Sequence, residues 1–197
     1  GFAPDESVKS VSFNGDTGYV VTYKQTDPLF AIDLSDPYNP VITDELKITG
    51  YSSFLRKWND DLLFGFGTEA NENGVETGVK LVMFDVSDDG ELKECGYYSI
   101  SGDRYGTYIS EAVYDRKALL FSPERNLIGF PLYDGSAHMM YSETSDGIYS
   151  DDIDGLKDSS NIRPLPELTY RIFSYENGRF NEKVSVAASD SGYGRDF

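Results

Sequence analysis

The phrase Ile32-Asp33-Leu34-Ser35-Asp36 returns as Phe84-Asp85-Val86-Ser87-Asp88, with 52 positions between Asp33 and Asp85. Each copy follows an apolar run, Leu29-Phe30-Ala31 in the first case and Leu81-Val82-Met83 in the second. A degraded third copy, Tyr170-Arg171-Ile172-Phe173-Ser174, again runs from an apolar strand into the polar turn Glu176-Asn177-Gly178. Self-similarity at a fixed spacing of this size is the signature of stacked supersecondary units. The chain must therefore fold as an array of equivalent pieces; a lone immunoglobulin-like sandwich needs no such repeat.

Between the copies, short apolar or alternating runs recur and no helical period persists over three turns, so the chain reads as all-β. Four strands fill the first unit, about residues 8–49: Val8 to Phe13, Tyr19 to Tyr23, Leu29 to Leu34 and Val41 to Ile48. The second unit, about 50–101, repeats that order. The third, about 105–189, carries a polar insertion at about 133–166. Insertions of that length are functional or poorly ordered. Four strands per unit, the inner ones more apolar than the outer, predict blades of a β-propeller. Three blades cannot close a ring of four to eight. The predicted fold is an open fragment of about three four-stranded antiparallel blades. Its end faces then belong against further blades or against another copy of the chain, by self-association.

Composition narrows the partners. Fifteen Tyr and twelve Phe supply a core that a disordered acidic chain would lack. A net charge of -17 opposes polyphosphate binding and keeps an exported protein soluble, so nucleic acid is not expected as a partner. The lone Cys95, in the run Leu92 to Tyr98, reads as a small core residue. No apolar run is long enough to span a bilayer, and Gly1 to Glu6 lacks a basic or apolar leader pattern. Direct membrane insertion of this segment is not expected.

The single histidine, His138, has no nucleophile motif around it, and the G-x-S-x-G, H-E-x-x-H and P-loop patterns are missing. No catalytic or cofactor-binding residue is assigned. Calcium is the candidate cation: Ser150, Asp152, Asp154 and Gly155 match the start of an EF-hand loop, with Asp151 beside them. Asn161 stands where that loop needs a bidentate carboxylate, so the candidate set Asp151, Asp152 and Asp154 describes an irregular loop. The stretch Glu69 to Glu76 poses the same question. The repeated Asp-x-Ser-Asp phrases read as turn caps, because Asp and Ser bond nearby backbone amides. Tyrosines cluster at Tyr97, Tyr98, Tyr105, Tyr108 and Tyr114 and again at Tyr141, Tyr149 and Tyr170. Tyr105, Tyr108, Tyr141 and Tyr149 are the candidate binding surface, since tyrosine offers large amphipathic contact area.

The run Val11-Ser12-Phe13, then Tyr19 to Phe30 with Gln25-Thr26-Asp27-Pro28-Leu29 inside it, resembles a particular family. Further matches are Lys80 to Asp88 and Ser110 to Ala118; together they cover about residues 8–132. The family is that of bacterial and archaeal secreted proteins with a C-terminal β-propeller domain distantly related to WD repeats. The resemblance implies export or anchoring in the cell envelope by an N-terminal segment, more propeller on both sides, and no established catalytic residues. The expected function is a non-catalytic binding or scaffold module recognising protein or polysaccharide. The alternative is an extracellular hydrolase acting on glycans or peptides through carboxylates near the propeller axis.

Overall fold

The computed structural model describes residues 3–23, 27–71, 73–87, 91–102, 108–134 and 168–187. Three separate antiparallel sheets carry them. The first contains β1 (Ser7–Asn14), β2 (Thr17–Tyr23), β3 (Asp27–Asp33) and β4 (Val41–Ile48) in sequence order. The second contains β5 (Tyr51–Lys57), β6 (Leu62–Ala70), β7 (Glu76–Asp85) and β8 (Lys93–Ser101), also in order. The third is built on β10 (Leu120–Ser122), β11 (Leu127–Asp134), β12 (Leu168–Glu176) and β13 (Arg179–Ala187), with β9 (Tyr108–Ile109) paired to the far end of β11. No sheet closes on itself, and the predicted open array of three blades is what the chain forms.

The repeated phrase occupies equivalent places. Ser35 N donates to Asp33 Oδ1 at 2.8 Å and Ser87 N to Asp85 Oδ1 at 3.0 Å. Leu34 N donates to Asp16 O at 2.7 Å and Val86 N to Asp61 O at 2.8 Å, tying each phrase to the turn before its neighbouring strand. The ladder also slips at one equivalent point in all three sheets: Ala31/Ile32, Met83/Phe84 and Ile172/Phe173. The degraded third copy thus keeps the β-bulge, which bends and twists a strand, after losing the aspartate.

First strands of neighbouring sheets lie side by side. Ser10 Oγ on β1 donates to Ser52 O on β5 at 2.5 Å, and the Phe54 ring on β5 meets Phe121 on β10 at 5.5 Å. At the opposite edge the Tyr175 hydroxyl, on β12, donates to Cys95 O on β8 at 3.2 Å. Cys95 is half-buried there, its thiol raised chiefly by burial and its Sγ 3.4 Å from the Tyr175 hydroxyl.

Two cores separate the three sheets. Tyr19, Val21, Leu29 and Ala31 of the first sheet pack on Leu55, Leu63, Val82 and Phe84 of the second. Phe64, Phe66, Leu81 and Met83, on the other face of the second sheet, pack on Ile128, Phe130, Leu132 and Phe173 of the third. A sheet covered on both faces needs apolar side chains on both, so β6 and β7 read as near-continuous apolar runs. Each such Phe or Leu contributes about 1.5–3 kcal/mol by leaving water.

The third sheet departs from the expected pattern. The first two sheets each open on one continuous strand, whereas here that strand is split into β9 and β10. Residues 110–119 span the place opposite residues 130–132 of β11, taking ten positions where a continuous strand would take three. Two 3-10 turns, Glu111–Val113 and Arg116–Ala118, fill the excursion. Ser110 Oγ accepts from Ala112 N at 3.3 Å and Asp115 Oδ1 from Lys117 N at 2.9 Å, capping both. Ala112 and Leu119 anchor it in the core. Opposite it stands Pro131, which has no N–H to offer a ladder; Ser110 Oγ donates to the Pro131 carbonyl at 2.5 Å instead.

Candidate functional site

One end of the first strands gathers tyrosines from all three sheets. Tyr23 ends β2, Tyr51 begins β5 and Tyr108 begins β9, while Tyr114 stands on the excursion. Tyr23 and Tyr51 rings lie 4.9 Å apart. The Lys9 ammonium sits over both, 5.3 Å and 4.6 Å from the ring centroids, a cation-π arrangement that, among the described residues, holds the charge without a carboxylate. The Tyr51 hydroxyl donates to Glu76 Oε1 at 3.3 Å and Tyr23 to Gly74 O at 3.4 Å, so the β6–β7 loop is drawn onto the cluster. Burial, with smaller contributions from Glu76 and Tyr114, pushes the Tyr51 hydroxyl up to about 12. A small crevice between Thr68, Glu76, Tyr108, Ser110 and Tyr114 opens beside it. Tyr114 is 74% exposed. Asp134 pairs with Tyr108 and Tyr133 with Leu168, so the β11–β12 connection leaves and returns at this same end.

Of the four predicted contact tyrosines, Tyr108 lines this crevice, while Tyr105, Tyr141 and Tyr149 lie outside the described residues. Tyr23, Tyr51 and Lys9 were not singled out by sequence. They are 42 positions apart at the widest, and only the side-by-side placement of β1 and β5 brings them together. The calcium candidates Asp151, Asp152 and Asp154, with His138, also lie outside the described residues. In the second acidic stretch Glu69 accepts from Tyr97 and from Ala70 N, and Glu76 from Tyr51. Among the described residues no three His, Cys, Asp or Glu side chains are grouped to hold a metal.

Carboxylates elsewhere serve turns. Asp33, Asp36 and Asp85 are held below the usual carboxylate range by hydrogen bonds from Ser35, from Asn39 and Tyr38, and from Ser87. Among the described carboxylates Glu94 alone is raised, chiefly by burial, with Lys80 opposing and Glu69 reinforcing the shift. It lies on β8, the strand farthest from β5 in its sheet.

The family described as Beta propeller domain matches residues 1–186. The chain belongs to that family. Among curated proteins this propeller is 39% identical over 131 residues to an uncharacterised protein of Archaeoglobus fulgidus, covering 66% of the chain and 19% of that protein. It is 35% identical over 133 residues to an uncharacterised protein of Methanocaldococcus jannaschii, covering 68% of the chain and 20% of that protein. The propeller chain thus spans about a fifth of the length of these archaeal relatives. No solved structure matches it. Among the described residues no helix is long and apolar enough to cross a membrane.

Proposed function

We propose that this propeller segment is a binding and scaffold module, and that the tyrosine-bearing end of its first strands meets a protein or polysaccharide ligand. The observation that carries the reading is the convergence of Tyr23, Tyr51, Tyr108 and Tyr114 from three sheets around Lys9 and Glu76. Tyr114 offers the exposed ring and the half-buried Tyr23 and Tyr108 flank it, and aromatic side chains dominate contact energetics. An extracellular or cell-envelope location goes with this reading and is supported by the acidity and the family resemblance.

The test uses immobilised glycans and cell-surface proteins against this chain, its Tyr114→Ala variant and its Tyr108→Ala variant. Captured ligand is expected to bind about thirtyfold more weakly to Tyr114→Ala, the scale of a contact hot spot. Binding that ignores both tyrosines, or no capture by the unaltered chain, would overturn the assignment.

The open face of the first sheet carries Val11, Phe13, Val20, Ile32 and Ile42, with Phe13 65% exposed. That of the third carries Leu120, Tyr170, Val184 and Val186, all partly exposed. In a longer ring both faces would meet further blades; in this chain alone they favour self-association, since exposed apolar patches of this kind mark contacts. Sedimentation is expected to show a dimer or larger species, and Phe13→Lys to shift it towards monomer. A wild-type monomer at all concentrations would show that water covers these faces without penalty.

A further inference from the structure

A second groove opens at the opposite end of the first strands, between the end of β5 and the end of β10. It encloses about 490 Å³ and is lined by Arg56, Trp58, Asn59, Phe121, Pro123 and Glu124; small-ligand sites occupy roughly 300–1,000 Å³. The Arg56 guanidinium lies over the Phe121 ring, 5.6 Å from its centroid, and among the described residues has no carboxylate partner. Trp58 stands edge-on to Phe121 at 5.6 Å, so its position is fixed by the aromatic cluster. Its backbone N–H bonds Leu62 O, and its half-buried indole N–H has no hydrogen-bond acceptor among the described residues. The Asn59 side-chain oxygen is engaged by Asp61 N at 3.0 Å, and its amide N–H groups have no acceptor among the described residues.

Lys57 also lines the groove, but its ammonium is already held by Asp60 at 2.6 Å and Asn14 at 2.9 Å. The formal charges of Arg56, Lys57, Asp60 and Glu124 cancel. A net charge of -17 on the whole chain further opposes a polyanion. What remains is the Trp58 ring, three donor groups and one carboxylate acceptor, without charge selection. The geometry points to a neutral pyranose as the occupant: its C–H face stacks on Trp58, and its hydroxyls accept from Arg56 and Asn59 and donate to Glu124. A polar rim around an aromatic platform is the general form of such sites. The groove lies at the other end of the first strands from the tyrosine cluster and shares no residue with it.

Trp58 is the only tryptophan of the chain, so its emission reports this groove alone. The experiment titrates the chain with cellohexaose, mannohexaose and chitohexaose, and in parallel with a uronate hexamer, hexaglutamate and a neutral serine-rich hexapeptide. At least one neutral oligosaccharide is expected to change Trp58 emission saturably. Arg56→Met should weaken that titration about tenfold, the scale of a hydrogen bond from a charged group, while keeping the emission spectrum of the free protein. Tyr114→Ala, at the other end, should leave it unchanged. Silence with all three neutral sugars, an unchanged midpoint in Arg56→Met, or an equal response to the uronate, hexaglutamate or peptide would each overturn the assignment.

Discussion

Gly67→Ala is expected to destabilise the chain by more than about 3 kcal/mol, the range of overpacked core sites, with a fall in melting temperature of roughly 10 °C, since 1 kcal/mol is worth about 2–4 °C at this size. Gly67 lies on β6 opposite Ser52 of β5. A Cβ there would lie far inside van der Waals contact distance of the Tyr51 carbonyl oxygen, 2.7 Å from Ser52 Cα and 2.8 Å from Ser53 N. All three obstacles are backbone, so no rotamer change relieves the clash and β5 must move away from β6. β5 also carries Tyr51, Arg56 and the contact with β1, so both ends of the first strands should lose order together. Gly15→Asn is the matched control. Gly15 has φ of +58° and nothing within 4 Å of a new Cβ, and asparagine tolerates that conformation, so a change within about 0.5 kcal/mol is expected. Thermal melting by circular dichroism decides; a Gly67→Ala melt within 2 °C of the parent, on that same scale, would show that β5 has slack.

Lys80→Met should cost about 3 kcal/mol at neutral pH, the penalty for removing one partner from a buried charged network. Lys80 is 1% exposed in the middle of β7, and its ammonium donates to the Thr49 carbonyl, in the connection between the first two sheets. Glu69 accepts from Tyr97 close by, and the Tyr97 hydroxyl is pushed up to about 12 by burial first and Glu69 second. Glu94 feels Lys80 as the charge that lowers its pKa and Glu69 as one that raises it. Methionine matches the lysine stem, so the loss is electrostatic: Thr49 keeps an unsatisfied carbonyl and Glu94 loses its counter-charge.

The pH dependence follows from Glu94. Its folded pKa already lies above the usual 4.5, and Lys80→Met raises it further. A carboxyl raised in the folded state contributes stability below its unfolded pKa and loses it as pH climbs through the folded value. The deficit of the variant is therefore largest near pH 7 and shrinks as pH falls towards 4.5 and Glu94 takes up a proton. Urea unfolding at pH 7 and pH 5 measures it. A deficit equal at both pH values would remove Glu94 from the explanation.

Neighbouring residues show where sequence reading works and where it stops. Asp33 and Asp85 could be read as turn caps because a cap needs only a side chain and an amide two positions on. The bulges beside them repeat because the same local phrase recurs. Lys80 was visible as a lysine in an apolar strand, yet nothing local says that the Thr49 carbonyl, 31 positions earlier, waits for it. The split of β9 from β10 was missed for a similar reason: Ser110 to Leu119 contains an apolar anchor at either end, and its departure from a strand depends on Pro131 across the ladder. Arg56, Trp58 and Phe121 likewise meet across 65 positions of chain.

The sequence by itself determined the repeat, the strand content, the turn caps and the inability of three blades to close a ring, since each rests on short-range periodicity and side-chain volume. Only the tertiary structure decided which end bears the tyrosines, that the middle sheet buries a lysine, and that a ring-walled groove opens at the other end. Those features depend on the distance between first strands of neighbouring sheets, and that distance is set by two cores packed from residues far apart in the chain.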